Sequence, residues 1–485
     1  MGELVWFVVL YLLVSVVIGL VTSRWVHTAK DFAVAGRHLP LPVVTATVFA
    51  TWFGSEAIFG ASSTFAREGL GGILADPFGA SLCLIIAGIF FSSKLYKLNV
   101  LTLGDYYRSR YGRAVEILTT LCIIIAYLGW VSAQIKALGI IFNTLAPERI
   151  SETQGMVLGA AVVLTYTTVG GMLSVAVLDF VQMTLIVGGL LYIAVLVSDM
   201  AGGAGVVIQH AADAGKFTFF PKEAGLKEWL IFIAPGITMM LGSIPQQDVF
   251  QRITSAKSAR TALHGSLIGG SFYLLFCFVP IFIAYAATLV DPEFFAALLE
   301  SNSEQIIPEL VLKHMPLAAQ VLFFGAVISA IMSTSSATLL APSVAFAENI
   351  VRSFLPHLSD RGFLFVMRVC TICFTGVVLG FALMNQETSI YQMVESAYSV
   401  TLAGAFVPLI VGPFWNRASN QGALAAIFLG ISAWLVTEYG YGEEDLGSLV
   451  GLGFSCVGMV AGSLLPQWLA TPHGMNEGAD LHPKP

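Results

Sequence analysis

The sequence predicts an all-α integral membrane protein with about 13 transmembrane helices. Of its 485 residues, 56% are apolar and 11% are charged, whereas soluble domains carry about 25% charged residues. The mean hydropathy is +0.82. Apolar segments of the length that crosses a bilayer, about 20 residues, follow one another along most of the chain. The lipid bilayer is therefore a predicted partner, and the net charge of −7 argues against a nucleic-acid-binding surface.

The positions of Lys and Arg predict how these helices are oriented. Fifteen of the 23 Lys and Arg residues fall on one side of the predicted membrane and six on the other. The richer side is expected to be cytoplasmic, which places the N-terminus outside and the C-terminus inside a multi-pass protein of the cell membrane. The apolar run after Met1 lacks a clear cleavage site and is interpreted as a retained helix. The helices are predicted at 3–22, 41–65, 70–92, 114–146, 152–169, 172–198, 228–250, 261–289, 317–350, 361–384, 391–415, 421–440 and 446–470.

Two of the predicted helices are interrupted. Residues 53–56 read Phe-Gly-Ser-Glu, and residues 242–247 read Gly-Ser-Ile-Pro-Gln-Gln. The two interruptions lie five helices apart, which is typical of transporters built from inverted repeats. A single interruption would be explained by the ordinary tolerance of membrane helices for Gly and Pro. The predicted domains are an extra helix and cytoplasmic loop (1–40), two inverted five-helix repeats (41–198 and 228–415), two further helices (416–470) and a disordered cytoplasmic tail (471–485).

Hydroxyl side chains cluster inside the apolar segment 317–350, where residues 333–338 read Ser-Thr-Ser-Ser-Ala-Thr. Within a bilayer such oxygens bond to a carbonyl one turn earlier, join two helices, or bind an ion. Na⁺ prefers oxygen ligands, as other hard cations do, and Ser333 and Ser336 share one face of a helix. The pattern indicates an ion pathway, although back-bonding is the commoner explanation for any single serine.

Three short motifs carry a family resemblance. Residues 330–334 read Ala-Ile-Met-Ser-Thr, residues 170–175 read Gly-Gly-Met-Leu-Ser-Val, and residues 179–182 read Asp-Phe-Val-Gln. Together with the predicted topology they resemble the sodium:solute symporter family, over roughly residues 5–440. The resemblance implies two inverted five-helix repeats with broken first and sixth core helices. It also implies a coupling Na⁺, no organic cofactor and a small-molecule solute as partner; no obligatory protein partner is evident.

The resemblance also implies the positions of a main sodium site. Backbone carbonyls and side-chain hydroxyls would form a five-oxygen shell, which is chemically suitable for Na⁺. The implied ligands are Ala50, Phe53, Ala330, Ser333 and Thr334.

A second sodium site, present in some members of the family, matches Asp179, Ser333 and Ser336. Ala337 stands where those members have a further serine, which is a departure from their pattern. Carboxylates within membrane helices are costly and functional by default. The alternatives for Asp179 are a wet position at the cytoplasmic end of its helix, or a pair with Arg252 or Lys257.

Within the family, the stretches 50–54, 129–130 and 244–252 are most similar to choline transporters. In that branch, tryptophans at the positions of Trp52 and Trp130 line the choline site. Each aromatic face attracts a quaternary ammonium by about 0.5–2 kcal/mol. Gln246 stands where the branch has a third tryptophan, so the cage would be incomplete and more polar. The alternative for both tryptophans is ordinary helix packing.

Acidic residues within apolar segments add negative charge near this predicted site. Glu56, Asp76 and Glu395 lie at the level of the helix breaks, whereas Asp248 is expected closer to the cytoplasmic end of its helix. A negative cavity favours a cationic solute. The alternatives are that some of these acids are protonated or paired with Lys136, and that Asp76 caps a helix. The predicted solute contacts are Trp52, Glu56, Asp76, Trp130 and Gln246.

The predicted function is sodium-coupled symport by alternating access, importing a small organic solute that is cationic or a quaternary ammonium such as choline. The alternative within this class is a zwitterion or carboxylate such as proline, betaine or a monocarboxylate. An ion channel would need a filter motif and usually oligomeric symmetry, and the sequence shows no such filter. It also lacks the metalloprotease, nucleophile-elbow and nucleotide-loop motifs, so the protein is predicted not to be an enzyme.

Overall fold

The computed structural model describes residues 2–26, 28–97, 100–222, 225–355, 357–442 and 444–469. It confirms the predicted all-α fold class. Within the described residues, nine helices are long and apolar enough to cross a membrane, and two bent pairs of helices raise the count to 11. The two other predicted helices correspond to the apolar helix Gly2–Thr22 and to the first part of helix Glu152–Met200. The total of 13 therefore stays a prediction.

The spans keep close to their predicted positions, and the two longest predicted connections contain short helices. These helices are Ala204–Asp213, Pro292–Ser301 and Ile306–His314. The predicted tail 471–485 lies outside the described residues. The nine continuous spans are Leu70–Lys97, Arg113–Leu145, Gly171–Met200, Ala259–Val290, Leu317–Phe354, Asp360–Met384, Ile390–Val411, Asn420–Gly440 and Leu446–Leu464.

Both predicted interruptions are present. The first broken helix consists of Leu41–Trp52 and Glu56–Glu68, which meet at 57°, and the second of Leu226–Gly242 and Gln247–Ser255, which meet at 46°. Each continues beyond its predicted end at 65 or 250, because charged residues in a last turn are tolerated where a membrane helix reaches the interface. The first ends only at Gly69, whose φ of +80° no longer permits the helix to continue.

A third bend lies at the junction predicted between 169 and 172. Gly171 has a φ of +54° and interrupts helix Glu152–Met200. A Cβ atom at this position would lie 2.7 Å from the carbonyl oxygen of Phe32. Only glycine therefore permits the short helix Ala29–Val34 to approach the bend this closely.

A buried ion pair joins three parts of the chain at the face that the sequence predicts to be external. Lys136 Nζ lies 3.2 Å from Glu304 Oε2, and both side chains are less than a tenth exposed. The ammonium also donates to the carbonyl of Thr388 (2.8 Å), and Glu304 accepts from the backbone N–H of Ile390 (2.5 Å). The pair thus attaches the connection before helix 317–349 to the start of helix 390–411. Lys136 is paired here and not with the acids near the helix breaks.

We expect Lys136→Met to lower the thermal stability of the purified protein, because it leaves the Glu304 carboxylate buried without its counter-ion. Removing one partner of a buried pair costs about 3–5 kcal/mol. The measurement is the melting temperature in detergent. Lys313→Met is the matched control, since it breaks the half-exposed pair between Lys313 and Glu309 and should cost about 1 kcal/mol or less. Equal shifts in the two variants would contradict a structural role for the buried pair.

Candidate functional site

The break in the first broken helix releases a backbone carbonyl. Helix Leu41–Trp52 ends at Phe53, whose ψ of +81° is not helical. The N–H of Gly54 donates to Trp52 O (3.0 Å) and not to Ala50 O, the acceptor that a continuing helix would use. The Ala50 oxygen is instead bonded by Ser333 Oγ (3.2 Å) and Thr334 Oγ1 (3.1 Å) from helix Leu317–Asn349.

The structure thus brings together three of the five predicted main-site residues, Ala50, Ser333 and Thr334. Ala330 lies one turn before Thr334 on the same helix, buried, and Phe53 lies at the break. The ring of Phe53 is stacked on Phe49 with 4.9 Å between centroids, so its aromatic side chain faces the core. The break and the hydroxyl pair therefore form one buried, oxygen-rich contact between two helices.

Glycine at position 54 permits this contact. A Cβ atom on Gly54 would lie 2.7 Å from Thr334 Oγ1 and 2.6 Å from Gln134 Oε1. Both distances are shorter than ordinary van der Waals separations, so a larger residue would separate the break from the helices on either side of it.

Asp179 is fully buried beside the hydroxyl pair. Its carboxylate accepts hydrogen bonds from Ser333 Oγ (2.5 Å) and from the hydroxyl of Thr47, and it interacts electrostatically with Arg252. The wet position considered for it from the sequence is therefore wrong. Ser336, the third residue of the predicted second site, donates instead to Ser333 O (2.9 Å).

The hydroxyl cluster thus divides into two kinds of residue. Ser335, Ser336 and Thr338 bond to carbonyls one turn earlier on their own helix, the behaviour expected of most serines in membrane helices. Ser333 and Thr334 reach across to another helix. Only these two make the inter-helical contacts that the ion-pathway hypothesis requires.

An aromatic cluster surrounds Trp52, two residues after the Ala50 carbonyl that the hydroxyl pair contacts. Its ring centroid lies 5.3 Å from that of Trp130 and 6.2 Å from that of Tyr398, on which it is stacked. Trp130 also lies 5.7 Å from Tyr398 and 5.9 Å from Tyr127. The sequence indicated the two tryptophans and missed the two tyrosines, since nothing in one sequence distinguishes them from other aromatic residues of apolar helices.

Asp248 lies next to this cluster. The indole Nε1 of Trp52 donates to Asp248 Oδ2 (3.1 Å), and the hydroxyl of Tyr127 donates to Oδ1. The second half of the broken helix starts at Gln247, which brings Asp248 to Trp52. A position closer to the cytoplasmic end of the helix stays a prediction. Asp248 is therefore a site residue that the sequence did not assign.

Arg252 follows one turn later and connects the cluster to the hydroxyl pair. Its Nε donates to Thr51 Oγ1 (2.8 Å), and its charge interacts with both Asp179 and Asp248. Hydrogen bonds join Trp52 to Asp248, and the charge of Arg252 acts on both Asp248 and Asp179. This guanidinium is the positive charge that makes two buried carboxylates tolerable there.

The remaining predicted solute contacts lie at the two breaks. Gln246 is fully buried at the second break, and neither its amide nitrogen nor its amide oxygen has a protein partner. Gln134 accepts from the Ser55 N–H (2.9 Å), while its Nε2 and the Ser55 hydroxyl are unpaired. Polar groups in this state are expected to bond a ligand or water.

Glu56 and Asp76 lie on the other side of the first break, in segments 56–60 and 74–79 that pack against each other. Asp76 accepts from the Tyr273 hydroxyl (2.7 Å). Glu395 is half-buried beside them and lines two neighbouring cavities, of about 360 Å³ and 310 Å³. Both cavities lie towards the face that the sequence predicts to be external.

Two broken helices, five helices apart, that enclose buried polar groups define a secondary transporter of the inverted-repeat type. The chain belongs to the sodium:solute symporter family, whose pattern matches residues 32–430. It is a transporter and not an enzyme.

The sequences and structures that resemble it agree with this assignment. The chain is 27% identical to the high-affinity choline transporter of Caenorhabditis elegans, over 87% of this chain and 72% of that one. It is also 27% identical to the sodium/proline symporter of Escherichia coli, over 94% and 91%. A Na⁺-coupled sialic acid symporter in an outward-open state superposes with a TM-score of 0.81 at 20% identity, covering 96% of this chain and 98% of that one. The last similarity shows the fold.

We expect Gly54→Ala to reduce transport strongly while the protein still reaches the membrane, because its Cβ would push the break away from Thr334. The measurement is solute uptake by reconstituted protein, normalised to the amount of protein. Gly188→Ala is the matched control, since a Cβ there meets no atom within 4 Å. If Gly54→Ala transports as well as Gly188→Ala, the close contact at the break is dispensable.

Proposed function

We propose that this symporter imports a small cationic solute together with Na⁺, and that the solute binds beside the breaks of the two broken helices. The observation that carries the proposal is the hydrogen bond from Trp52 to buried Asp248 (3.1 Å) inside the aromatic cluster. Aromatic faces and a nearby carboxylate both attract a positive charge, and burial strengthens the attraction. The similarity to choline transporters supports the same class of solute.

Sodium is proposed to bind where the first break meets helix 317–349. The two hydroxyls that converge on the Ala50 carbonyl support this position, because an ion there would replace their hydrogen bonds with oxygen–ion contacts. The proposed ligands are Ala50, Phe53, Ala330, Ser333 and Thr334. For a second ion, Asp179 and Ser333 are supported by their direct contact, whereas the back-bond of Ser336 argues against its participation.

In the proposed cycle, the N-terminus is external and the site opens first to the outside. Sodium joins the first broken helix to helix 317–349 and favours the outward-open state. The solute then binds one turn away, and each ligand raises the affinity for the other by the same factor. The loaded protein closes, opens to the cytoplasm and releases both.

A zwitterion is the second candidate, and one observation favours it. The Nη2 atom of buried Arg252 has no hydrogen-bond partner, and a guanidinium is the preferred group for binding a carboxylate. A solute that carries both charges could then bind between Arg252 and the acids. The similarity to the sodium/proline symporter supports this alternative.

The two candidates are tested by sodium-gradient uptake into proteoliposomes. Radiolabelled choline is the substrate, and unlabelled proline, betaine, polyamines and pyruvate are competitors. Sodium-dependent choline uptake supports the cationic solute. Sodium-dependent uptake only of an amino acid or carboxylate would exclude it and favour the zwitterion or carboxylate.

We expect the double variant Ser333→Ala, Thr334→Ala to lose the sodium dependence of solute binding. A ligand shifts a conformational equilibrium only through its different affinities for the two states, and both proposed hydroxyl ligands are gone. The measurement compares the affinity of the protein for the solute in Na⁺ buffer with its affinity for the same solute in K⁺ buffer that contains no choline. Ser335→Ala is the control, because its hydroxyl bonds only within its own helix. Full sodium dependence in the double variant would exclude the proposed main site.

We expect Trp52→Ala to weaken solute affinity by about 2- to 30-fold, the effect of one cation–π contact, with a smaller change in sodium affinity. Competition binding and sodium titration of the same preparation measure the two effects. Trp468→Ala, at a residue that is 85% exposed, serves as control. Equal losses of solute and sodium affinity would mean that Trp52 acts through packing.

A further inference from the structure

Glu56 and Asp76 form a carboxylate pair that the aromatic cluster does not use. They come from two different membrane-spanning segments that pack against each other. Glu56 is 4% exposed and Asp76 is fully buried. Glu56 begins the π-helical segment Glu56–Gly60, a form frequent at functional sites, whereas Asp76 interrupts Leu74–Gly79 with extended backbone (φ −130°, ψ +123°).

The hydrogen bonds of this pair are incomplete. Tyr273 satisfies Asp76 Oδ1, but Asp76 Oδ2 and Glu56 Oε1 are buried without a partner. Among the described residues, neither carboxyl forms an ion pair with Lys or Arg, and Lys136 is held by Glu304. The other titratable groups that interact with the pair are Glu395, Tyr391, Tyr273, Cys277 and Tyr398. The pair therefore offers two unused acceptors and no positive charge of its own.

A solute from the predicted external side would reach this pair first. The cavity of about 310 Å³ is lined by Leu74, Tyr391 and Glu395, and the second cavity shares Glu395 with it. Leu74 lies in the same π-helical segment as Asp76, so the pair lies next to the inner end of this approach. Beyond the pair, one turn along the broken helix, lies the aromatic cluster around Trp52.

A quaternary ammonium would use this arrangement poorly. It has no N–H to donate, so Glu56 Oε1, Asp76 Oδ2 and the amide oxygen of Gln246 would stay unsatisfied in a dry site. A primary or secondary ammonium has two or three N–H groups and could bond to both carboxylates while its carbon skeleton contacts the aromatic rings.

We infer that the Glu56–Asp76 pair binds the N–H groups of the solute's ammonium, so that this symporter selects primary or secondary amines over quaternary ones. The inference rests on the proposed function, since it concerns the cationic solute of the same site. Full methylation removes the two charge-assisted hydrogen bonds that the two free acceptors could receive, and each bond corresponds to about tenfold in affinity.

The test is a methylation series at constant skeleton: ethanolamine, N-methylethanolamine, N,N-dimethylethanolamine and choline. Binding to the full-length purified protein in Na⁺ is followed by intrinsic tryptophan fluorescence, which does not depend on transport. Wild type is expected to bind ethanolamine about 100-fold more tightly than choline. Glu56→Gln and Asp76→Asn should each reduce the differences in affinity along the series, mainly by weakening the binding of ethanolamine. Glu309→Gln, on the distant helix Ile306–His314, should leave it unchanged.

The outcomes separate this inference from the proposed function. If choline binds as tightly as ethanolamine, or if the two pair variants keep the wild-type series, the inference is overturned while a cationic solute stands. If no member of the series binds but an amino acid or carboxylate does, the proposed function and the inference both fall. If neither the series nor an amino acid or carboxylate binds, the inference is overturned as well. Sodium-induced thermal stabilisation of each variant shows whether it is folded.

Discussion

The attraction between Arg252 and the two buried carboxylates beside it is the interaction on which the rest of the site depends. Asp248 and Arg252 belong to the second broken helix, and Asp179 to helix 171–200, so the three charges connect separate helices inside the protein. Each acid is also fully engaged by hydroxyl or indole donors, whereas Arg252 Nη2 has no partner. A buried acid is costly unless its hydrogen bonds are satisfied. The breaks in the two helices supply the geometry that satisfies both acids.

Glu56 and Asp76 show the opposite arrangement at a similar depth. They have the same burial as Asp179 and Asp248 but no guanidinium and fewer donors. Acids that only supported the fold would be expected to have partners within the protein, because single buried carboxylates are among the costliest groups in a membrane protein. The first set of acids thus shares one guanidinium, whereas the second has no positive group within the protein. This contrast is the reason for assigning the N–H groups of the solute to the second set, while Asp248 acts through its charge at the aromatic cluster.

The sequence predicted the parts of this site that depend on local chemistry. Glycine beside polar residues in an apolar helix indicated both breaks, and the family motif led to the contact of Ser333 and Thr334 with Ala50. It could not predict which hydroxyls turn back on their own helix, because Ser333 and Ser336 occupy the same face at equivalent spacing. It also did not assign Asp248 to the solute site and missed Tyr127 and Tyr398. These positions depend on the angle at the second break and on which helices pack together, and neither is encoded locally.

The polar contacts between the two proposed ligand sites give symport a physical basis. Ser333 contacts both the Ala50 carbonyl and Asp179, Asp179 interacts with Arg252, and Arg252 interacts with Asp248, which fixes the indole of Trp52. Sodium bound at Ser333 would compete for the bonds that now hold Asp179, and the balance of charge around Arg252 would change with it. Any shift of the Arg252 charge towards one carboxylate would change how strongly Asp248 attracts a cation at the aromatic cluster. Coupling between the two ligands therefore needs no large movement at the outset, only a redistribution of one positive charge between two carboxylates.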